Sequence, residues 1–367
     1  MPDHKGLLPL FFDPLFKEKV WGGHGLKKSL GKNIPDNVPI GESWEISGVP
    51  GDETVCRTAD FTGKSLSEIL FQEKSRLVGA SLESGEFPLL YKFIDAHDKL
   101  SVQVHPNDEQ ARSKKAGNFG KTECWYIVDA KPGARLICGL AKGVGFSEVK
   151  SALYGGRLDE ICNYMSVRPG DVIFVPAGTV HATLEDILLY EVQQTSDTTY
   201  RLYDWKRLDS SGKSRALHID EALDALDLTV NEHHKIGPLA LSPIPKVSHL
   251  LRLACRYFAL EEFQVDGDAE FSLTPKKSFQ VMTSLNGPIS LTSAHGAATL
   301  HHGESVLIPA AMDSPRCSGA AGAHFLLSYV PDLSGEIIAP LRSLKYSDDR
   351  IVRMAGNPAK NDLLPLV

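Results

Sequence analysis

The feature that most restricts the fold is an internal repeat. Pro169-Gly-Asp-Val-Ile-Phe-Val-Pro-Ala177 matches His302-Gly-Glu-Ser-Val-Leu-Ile-Pro-Ala310: a glycine turn, an acidic residue, an apolar strand and Pro-Ala. Each is preceded by a strand and a glycine-containing turn, Cys124-Trp-Tyr-Ile-Val-Asp-Ala-Lys-Pro-Gly133 and Phe279-Gln-Val-Met-Thr-Ser-Leu-Asn-Gly-Pro288. Two such strand–turn–strand units imply two copies of one small β-barrel or jelly roll. A chain of 367 residues has room for both. Short apolar runs between Gly and Pro turns elsewhere, such as Ile40–Ile46, support a mainly β protein.

Helix signals are few. Residues 65–82 carry an apolar stripe at Leu66, Ile69, Leu70 and Leu77, with Ser65 or Ser67 as a cap and Glu68 three residues after Ser65. A short polar helix follows Pro106, two more are expected around Glu148–Tyr154 and Leu158–Met165, and another over 219–226. The proline-rich stretch 231–246 reads as a linker, and the chain beyond it as strands. The pairs His233-His234 and His301-His302 are expected at the surface, because neighbours on a strand face opposite ways.

The two copies differ where chemistry would reside. Leu100–His105 alternates apolar Leu100, Val102 and Val104 with polar Ser101, Gln103 and His105. The polar three therefore share one face, about 7 Å apart along it. Gln and His on one strand face suit metal ligation, although a half-buried strand with a hydrogen-bonded histidine would show the same pattern. Glu123 opens the next apolar strand beside Lys121, and His181 closes the turn after Val175. Gln103, His105, Glu123 and His181 thus make a four-membered N/O set that suits zinc. Eleven residues after Gly170 stands His181, whereas eleven after Gly303 stands Ser314, and the strand near Phe279 has no carboxylate matching Glu123. The second copy is therefore expected to be metal-free. Lys92 interrupts an apolar strand and either snorkels outward or points into a polar pocket. Trp21 and Trp44 are expected in the core.

A net charge of −7 gives no reason to expect nucleic acid or anionic membrane as a partner. No signal peptide and no apolar run of about 18 residues is read, so a cytoplasmic protein is expected. Six cysteines without a C-x-x-C pair suit buried reduced thiols better than a disulfide framework.

Leu100-Ser-Val-Gln-Val-His-Pro-Asn107, Gly120-Lys-Thr-Glu-Cys-Trp-Tyr126, Pro176-Ala-Gly-Thr-Val-His-Ala182 and Glu191…Ser196-Asp-Thr-Thr-Tyr-Arg201 together resemble the type I phosphomannose isomerases of the cupin superfamily, in their short bacterial form. The resemblance covers nearly the whole chain. It implies a catalytic cupin over 1–235 and a degenerate one over 236–367. It implies one zinc on Gln103, His105, Glu123 and His181, and an essential arginine at Arg201. Phosphate contacts or proton carriers would fall on Ser101, Lys121, Glu191 and Asp197, with Lys92 nearby. The substrate implied is a sugar phosphate, interconverted between mannose and fructose 6-phosphates through an enediolate, by a monomer or homodimer. The long helical insertion of larger members is missing.

On the residues alone, Lys121 and Glu191 are both candidates for the base, and a lysine beside zinc and Arg201 would have its charged form disfavoured. Glu191 and Arg201 could equally form a structural ion pair. Rival readings are an isomerase or epimerase of another sugar phosphate or free aldose, and a non-catalytic sugar-binding cupin. An iron dioxygenase would want more histidines than these two.

Overall fold

Two β-barrels of one plan stand back to back in the computed structural model, which describes residues 7–82, 85–115, 117–208, 212–230 and 232–367. The small sheet of the first barrel runs Cys162–Ser166, Arg135–Leu140, His181–Thr183, Val102–Val104, Tyr200–Tyr203. That of the second runs Gly296–Leu300, Ile289–Ser293, Arg316–Gly319, Ala269–Ser272, the same order without the last strand. The large sheets match as well. Val172–Val175, Glu123–Ala130, Ile187–Gln194 and Leu89–Ala96 are neighbours in one, Ser305–Ile308, Gln280–Asn286, His324–Tyr329 and Ala259–Val265 in the other. The repeated Gly-acid-strand-Pro units hold equivalent places, as the repeat implies.

Strand pairing ties the two barrels together. Leu10–Asp13 pairs with Ser305–Ile308 of the second large sheet, and Lys235–Ile236 with Val172–Val175 of the first. The ladders therefore cross the division expected at 235/236. The stretch expected to be a linker carries this strand and Leu239–Ala240 (residue 231 lies outside the described residues).

Strand alternation sorts the core into layers. On Glu123–Ala130, Cys124 and Tyr126 face the second barrel, whereas Trp125 and Ile127 point into the first. Tyr91, Phe93, Tyr190 and Val192 join the layer between the barrels, against Leu253, Val281, Leu326 and Tyr329. Burial on both faces explains why these strands read as continuous apolar runs. Val102 and Val104 face outward beneath the helices Phe146–Tyr154 and Ile219–Ala225, so the opposite face of their strand is turned to the barrel interior.

Ser65 caps the helix Leu66–Glu73, and its side chain and that of Glu68 close a reciprocal capping box. The helix expected over 158–165 is only a single turn, Leu158–Ile161, followed by a strand, because Tyr164 and Met165 pair with Ile137 and Leu136. Helical turns at Leu333–Ile338, Ala339–Ser343 and Asp348–Val352, which the strand pattern did not announce, close the C-terminal end. His234 is buried rather than at the surface, its Nδ1 donating to the Phe174 carbonyl, because its strand edge is covered by the first barrel. All six cysteines are free and buried. Among the described residues no helix is long and apolar enough to cross a membrane.

The imidazole of His301 lies exposed on the second barrel. His301→Ala is expected to leave kcat within about threefold, well short of the tenfold that 1.4 kcal/mol represents, in a steady-state assay.

Candidate active site

Three residues converge inside the first barrel. His105 follows Val102–Val104, His181 opens His181–Thr183, and Glu123 opens its strand on the facing sheet. The turns that deliver them depend on glycine at two points. Gly178 has φ +87°, and a Cβ there would lie 2.7 Å from that of Asp227. A Cβ on Gly120 would lie 2.5 Å from the backbone of Asn107, so only glycine lets the Lys121–Glu123 segment pass.

His105 donates from Nδ1 to the Thr198 carbonyl at 2.9 Å, and His181 from Nδ1 to the Thr179 carbonyl at 2.8 Å. Each Nε2 is left as a lone pair aimed at Glu123, 3.2 Å from Oε1 for His105 and 3.6 Å from Oε2 for His181. Burial holds both imidazoles neutral. It lowers His105 to about 3 with help from Lys121, and it lowers His181, in each case outweighing the pull of Glu123. Lys121 reaches Glu123 Oε1 at 3.1 Å, yet both Nε2 atoms and Glu123 Oε2 are buried with no donor. Facing acceptors in a dry place call for a cation. The three ligand atoms lie within 4.8 Å of one another, and no other such group occurs among the described residues. Gln103 pairs with both His181 and Arg201 across the ladders, so the three side chains share one face. The donor set fits zinc.

A cavity of about 250 Å³ opens onto this cluster. Its walls hold every residue singled out from the sequence except the two histidines: Lys92, Ser101, Gln103, Lys121, Glu123, Glu191, Asp197 and Arg201. Lys92 is buried and turned inward, 3.0 Å from Glu191 Oε1, while Trp125 Nε1 donates to Glu191 Oε2 at 2.8 Å. Among the described residues Glu191 thus pairs with Lys92 and not with Arg201. Burial, then the charge of Glu123, raise Glu191 to about 7 against the pull of Lys92 and Lys121. Burial disfavours the ammonium of Lys92, but Glu191 and Glu42 outweigh that and raise it. Arg201 donates to Ser101 Oγ at 3.4 Å and to the Ala216 carbonyl at 2.9 Å.

Residues 10–129 match the family phosphomannose isomerase type I, catalytic domain, and residues 250–329 the mannose-6-phosphate isomerase cupin domain. The mannose-6-phosphate isomerase ManA of Bacillus subtilis is 36% identical over 85% of this chain and 96% of its own length. The chain belongs to the type I phosphomannose isomerase family. A mannose-6-phosphate isomerase of Streptococcus mutans is 34% identical over 85% of the chain and 95% of its own length. The crystal structure of a mannose 6-phosphate isomerase from Bacillus subtilis superposes with a TM-score of 0.80 at 31% identity, over 88% of this chain and all of that one. A phosphomannose isomerase from Salmonella typhimurium, at 18% identity and TM-score 0.69, shares the fold.

Five polar residues of this isomerase-family cavity were not singled out from the sequence: Lys19, Glu42, Thr183, Thr199 and Arg215. Trp21, expected in the core, also lines it, while Trp44 donates from Nε1 to Glu42 at 2.7 Å. Period-two alternation places Glu42 inside once Trp44 is inside, and that is the signal that could have found it. Lys19 lies 3.2 Å from Glu42, so Lys19, Glu42, Lys92 and Glu191 form a row of alternating charge. Burial works to raise Glu42, but Lys92 and Lys19 overcome it and lower the carboxyl from 4.5 to about 2. A depressed carboxyl stabilises the fold above its unfolded value and loses that contribution as pH falls toward its folded one. Glu42→Gln should therefore cost about 3 kcal/mol at pH 7, and the Tm gap to wild type should close between about pH 4.5 and pH 2 in thermal melts.

Proposed function

We propose that the protein is a zinc-dependent aldose–ketose isomerase that interconverts mannose 6-phosphate and fructose 6-phosphate through an enediolate. The observation that carries this reading is the buried His105–Glu123–His181 acceptor cluster opening onto a cavity lined by Lys121, Glu191 and Arg201. The substrate is the one named for the Bacillus subtilis and Streptococcus mutans relatives. We divide the chain at 235/236 into a catalytic cupin and a supporting one, with Leu10–Asp13 of the first joined to the large sheet of the second and the strand Lys235–Ile236 straddling the division.

Gln103, His105, Glu123 and His181 would hold one zinc. When bound, it supplies Lewis acidity that polarises the sugar carbonyl and steadies negative charge on oxygen. The carbon-bound proton goes to Glu191, which at about 7 exists in both forms near neutrality. Its carboxylate takes the proton from C2 and, as the acid, returns it to C1. Lys121, beside the cluster, gives a proton to O1 and takes one from O2. Lys92 holds Glu191 in position through their ion pair. Arg201 faces the anionic parts of the substrate with a charge that does not titrate. In the second barrel Gln280 pairs with Ile308 where Glu123 pairs with Val175 in the first, a neutral amide in place of the carboxylate. That barrel is assigned no metal.

Purified protein should contain one equivalent of zinc by elemental analysis, and His105→Ala with His181→Ala should contain none. Two equivalents, or one retained in the double variant, would refute the assignment. In a coupled assay mannose 6-phosphate should yield fructose 6-phosphate. Arg201→Ala should lower kcat/KM by 10²-fold or more, about 3 kcal/mol, with zinc content and Tm near wild type. A variant that melts early, with activity falling only as folded protein falls, would make Arg201 a structural residue.

A further inference from the structure

Arg215 was invisible in the sequence, yet it lines the cavity beside Arg201, Ser101 and Asp197. It lies in the stretch 212–218 ahead of the helix Ile219–Ala225, where Ala216 and His218 bond to the edge strand Tyr200–Tyr203 of the small sheet. Three bonds lace that segment down: His218 N to the Arg201 carbonyl at 2.8 Å, Arg201 N to His218 Nδ1 at 3.1 Å, and Arg201 Nη1 to the Ala216 carbonyl at 2.9 Å. Asp204, itself buried, then fixes the Arg215 guanidinium through Nε at 2.7 Å and Nη2 at 2.5 Å.

Asp204 also takes Arg207, which reaches Asp98 at 3.6 Å as well. Arg201 donates only to the neutral Ser101 Oγ and Ala216 carbonyl among the described residues. Asp204 and Asp98 are thus taken by Arg215 and Arg207, and the Arg201 guanidinium faces the cavity without a carboxylate partner among the described residues. Asp197 lines the same walls, but a carboxylate repels a dianion and suits sugar hydroxyls instead. The other end of the cavity holds Glu123, Glu191 and Glu42. Geometry separates the ends by a useful length. His181, Gln103 and Arg201 sit side by side on three neighbouring strands, so the Arg201 backbone stands about 10 Å from that of His181, with Gln103 between them. A six-carbon chain with its carbonyl at one end and a phosphate at the other spans such a gap.

We propose that Arg215, with Arg201, clamps the phosphate of the substrate and sets the preference for phosphorylated over free sugar. The inference rests on the sugar-phosphate reading above. Two guanidiniums held in fixed orientation can each present paired N–H groups to phosphate oxygens, and Ser101 Oγ–H adds a donor. Asp204 is the positioning residue that keeps Arg215 extended into the cavity.

The test measures binding apart from turnover. Calorimetry on the zinc-loaded protein would use glucitol 6-phosphate, which has no carbonyl to isomerise, and glucitol as the unphosphorylated control. Arg215→Ala should weaken glucitol 6-phosphate by about tenfold or more, leave glucitol unchanged, and raise KM for mannose 6-phosphate with kcat within about threefold. Arg215→Lys should recover part of the loss. Arg207→Ala is the control for folding, because it removes the other guanidinium on Asp204 but does not line the cavity, and it should bind both probes like wild type. Equal losses in the Arg215 and Arg207 variants, or none in either, would overturn the role of Arg215. A wild-type protein that does not prefer glucitol 6-phosphate to glucitol would overturn the sugar-phosphate reading and the clamp with it. A wild type that prefers it but does not isomerise mannose 6-phosphate would leave the clamp standing and reject only the reaction.

Discussion

Two imidazole lone pairs and a carboxylate facing one another inside a barrel are the constraint from which the rest of the site follows. Such an arrangement is costly without a cation, because both Nε2 atoms and Glu123 Oε2 have given up water and found no donor. The histidines cannot relieve it by taking protons, since burial and Lys121 outweigh Glu123 and keep them neutral. Their outer nitrogens are committed to the carbonyls of Thr198 and Thr179, which fixes both rings with Nε2 inward. Orientation by a second hydrogen bond is how a metal-binding histidine is ordinarily held.

The barrel around the cluster is divided along its strands. Ile127, Ile173, Ile187 and Leu189 fill one end, while Lys92, Glu191, Glu42 and Arg201 line the other, with Trp125 bonded to Glu191 between them. The charged residues occupy the same inward face as the apolar ones, a few residues further along the same strands. Strands therefore carry Lys92, Gln103, Glu123, His181, Glu191 and Arg201, and sheet places such groups more precisely than loops do, while Lys121 and His105 stand just off strand ends. The second barrel reverses this allocation. Phe263, Phe271, Met282 and Phe325 pack its interior, and the rings of Phe263 and Phe325 stack at 4.7 Å. Its polar residues lie largely on the outside. Glu262 there binds Arg252, His324 and Tyr126 of the first barrel, so part of its polarity serves to bolt the halves together.

Much of this was legible in the chain. The repeated Gly-acid-strand-Pro unit implied two barrels, and both large sheets place it identically. Alternation in Leu100–His105 put Gln103 and His105 on one face, and Ser65 with Glu68 announced a helix start. Lys92 was left open between two orientations, because a lysine stem can run either way until its partner is known. The helix expected over 158–165 failed because pairing with Arg135–Leu140 overrode local preference. His234 was misread because nothing local marks a strand edge that a distant segment will cover.

Spacing along one strand or turn was enough to read the two barrels, the strand faces and the candidate ligand residues. Tertiary structure alone decided what depends on strands far apart in the chain. It set Lys92 between Glu42 and Glu191, drew Arg215 to the cavity through Asp204, and joined Leu10–Asp13 to the second large sheet and Lys235–Ile236 to the first. The physical reason is that strand pairing fixes distance across a sheet at about 5 Å whatever the separation in sequence, and no local pattern encodes which strand becomes the neighbour.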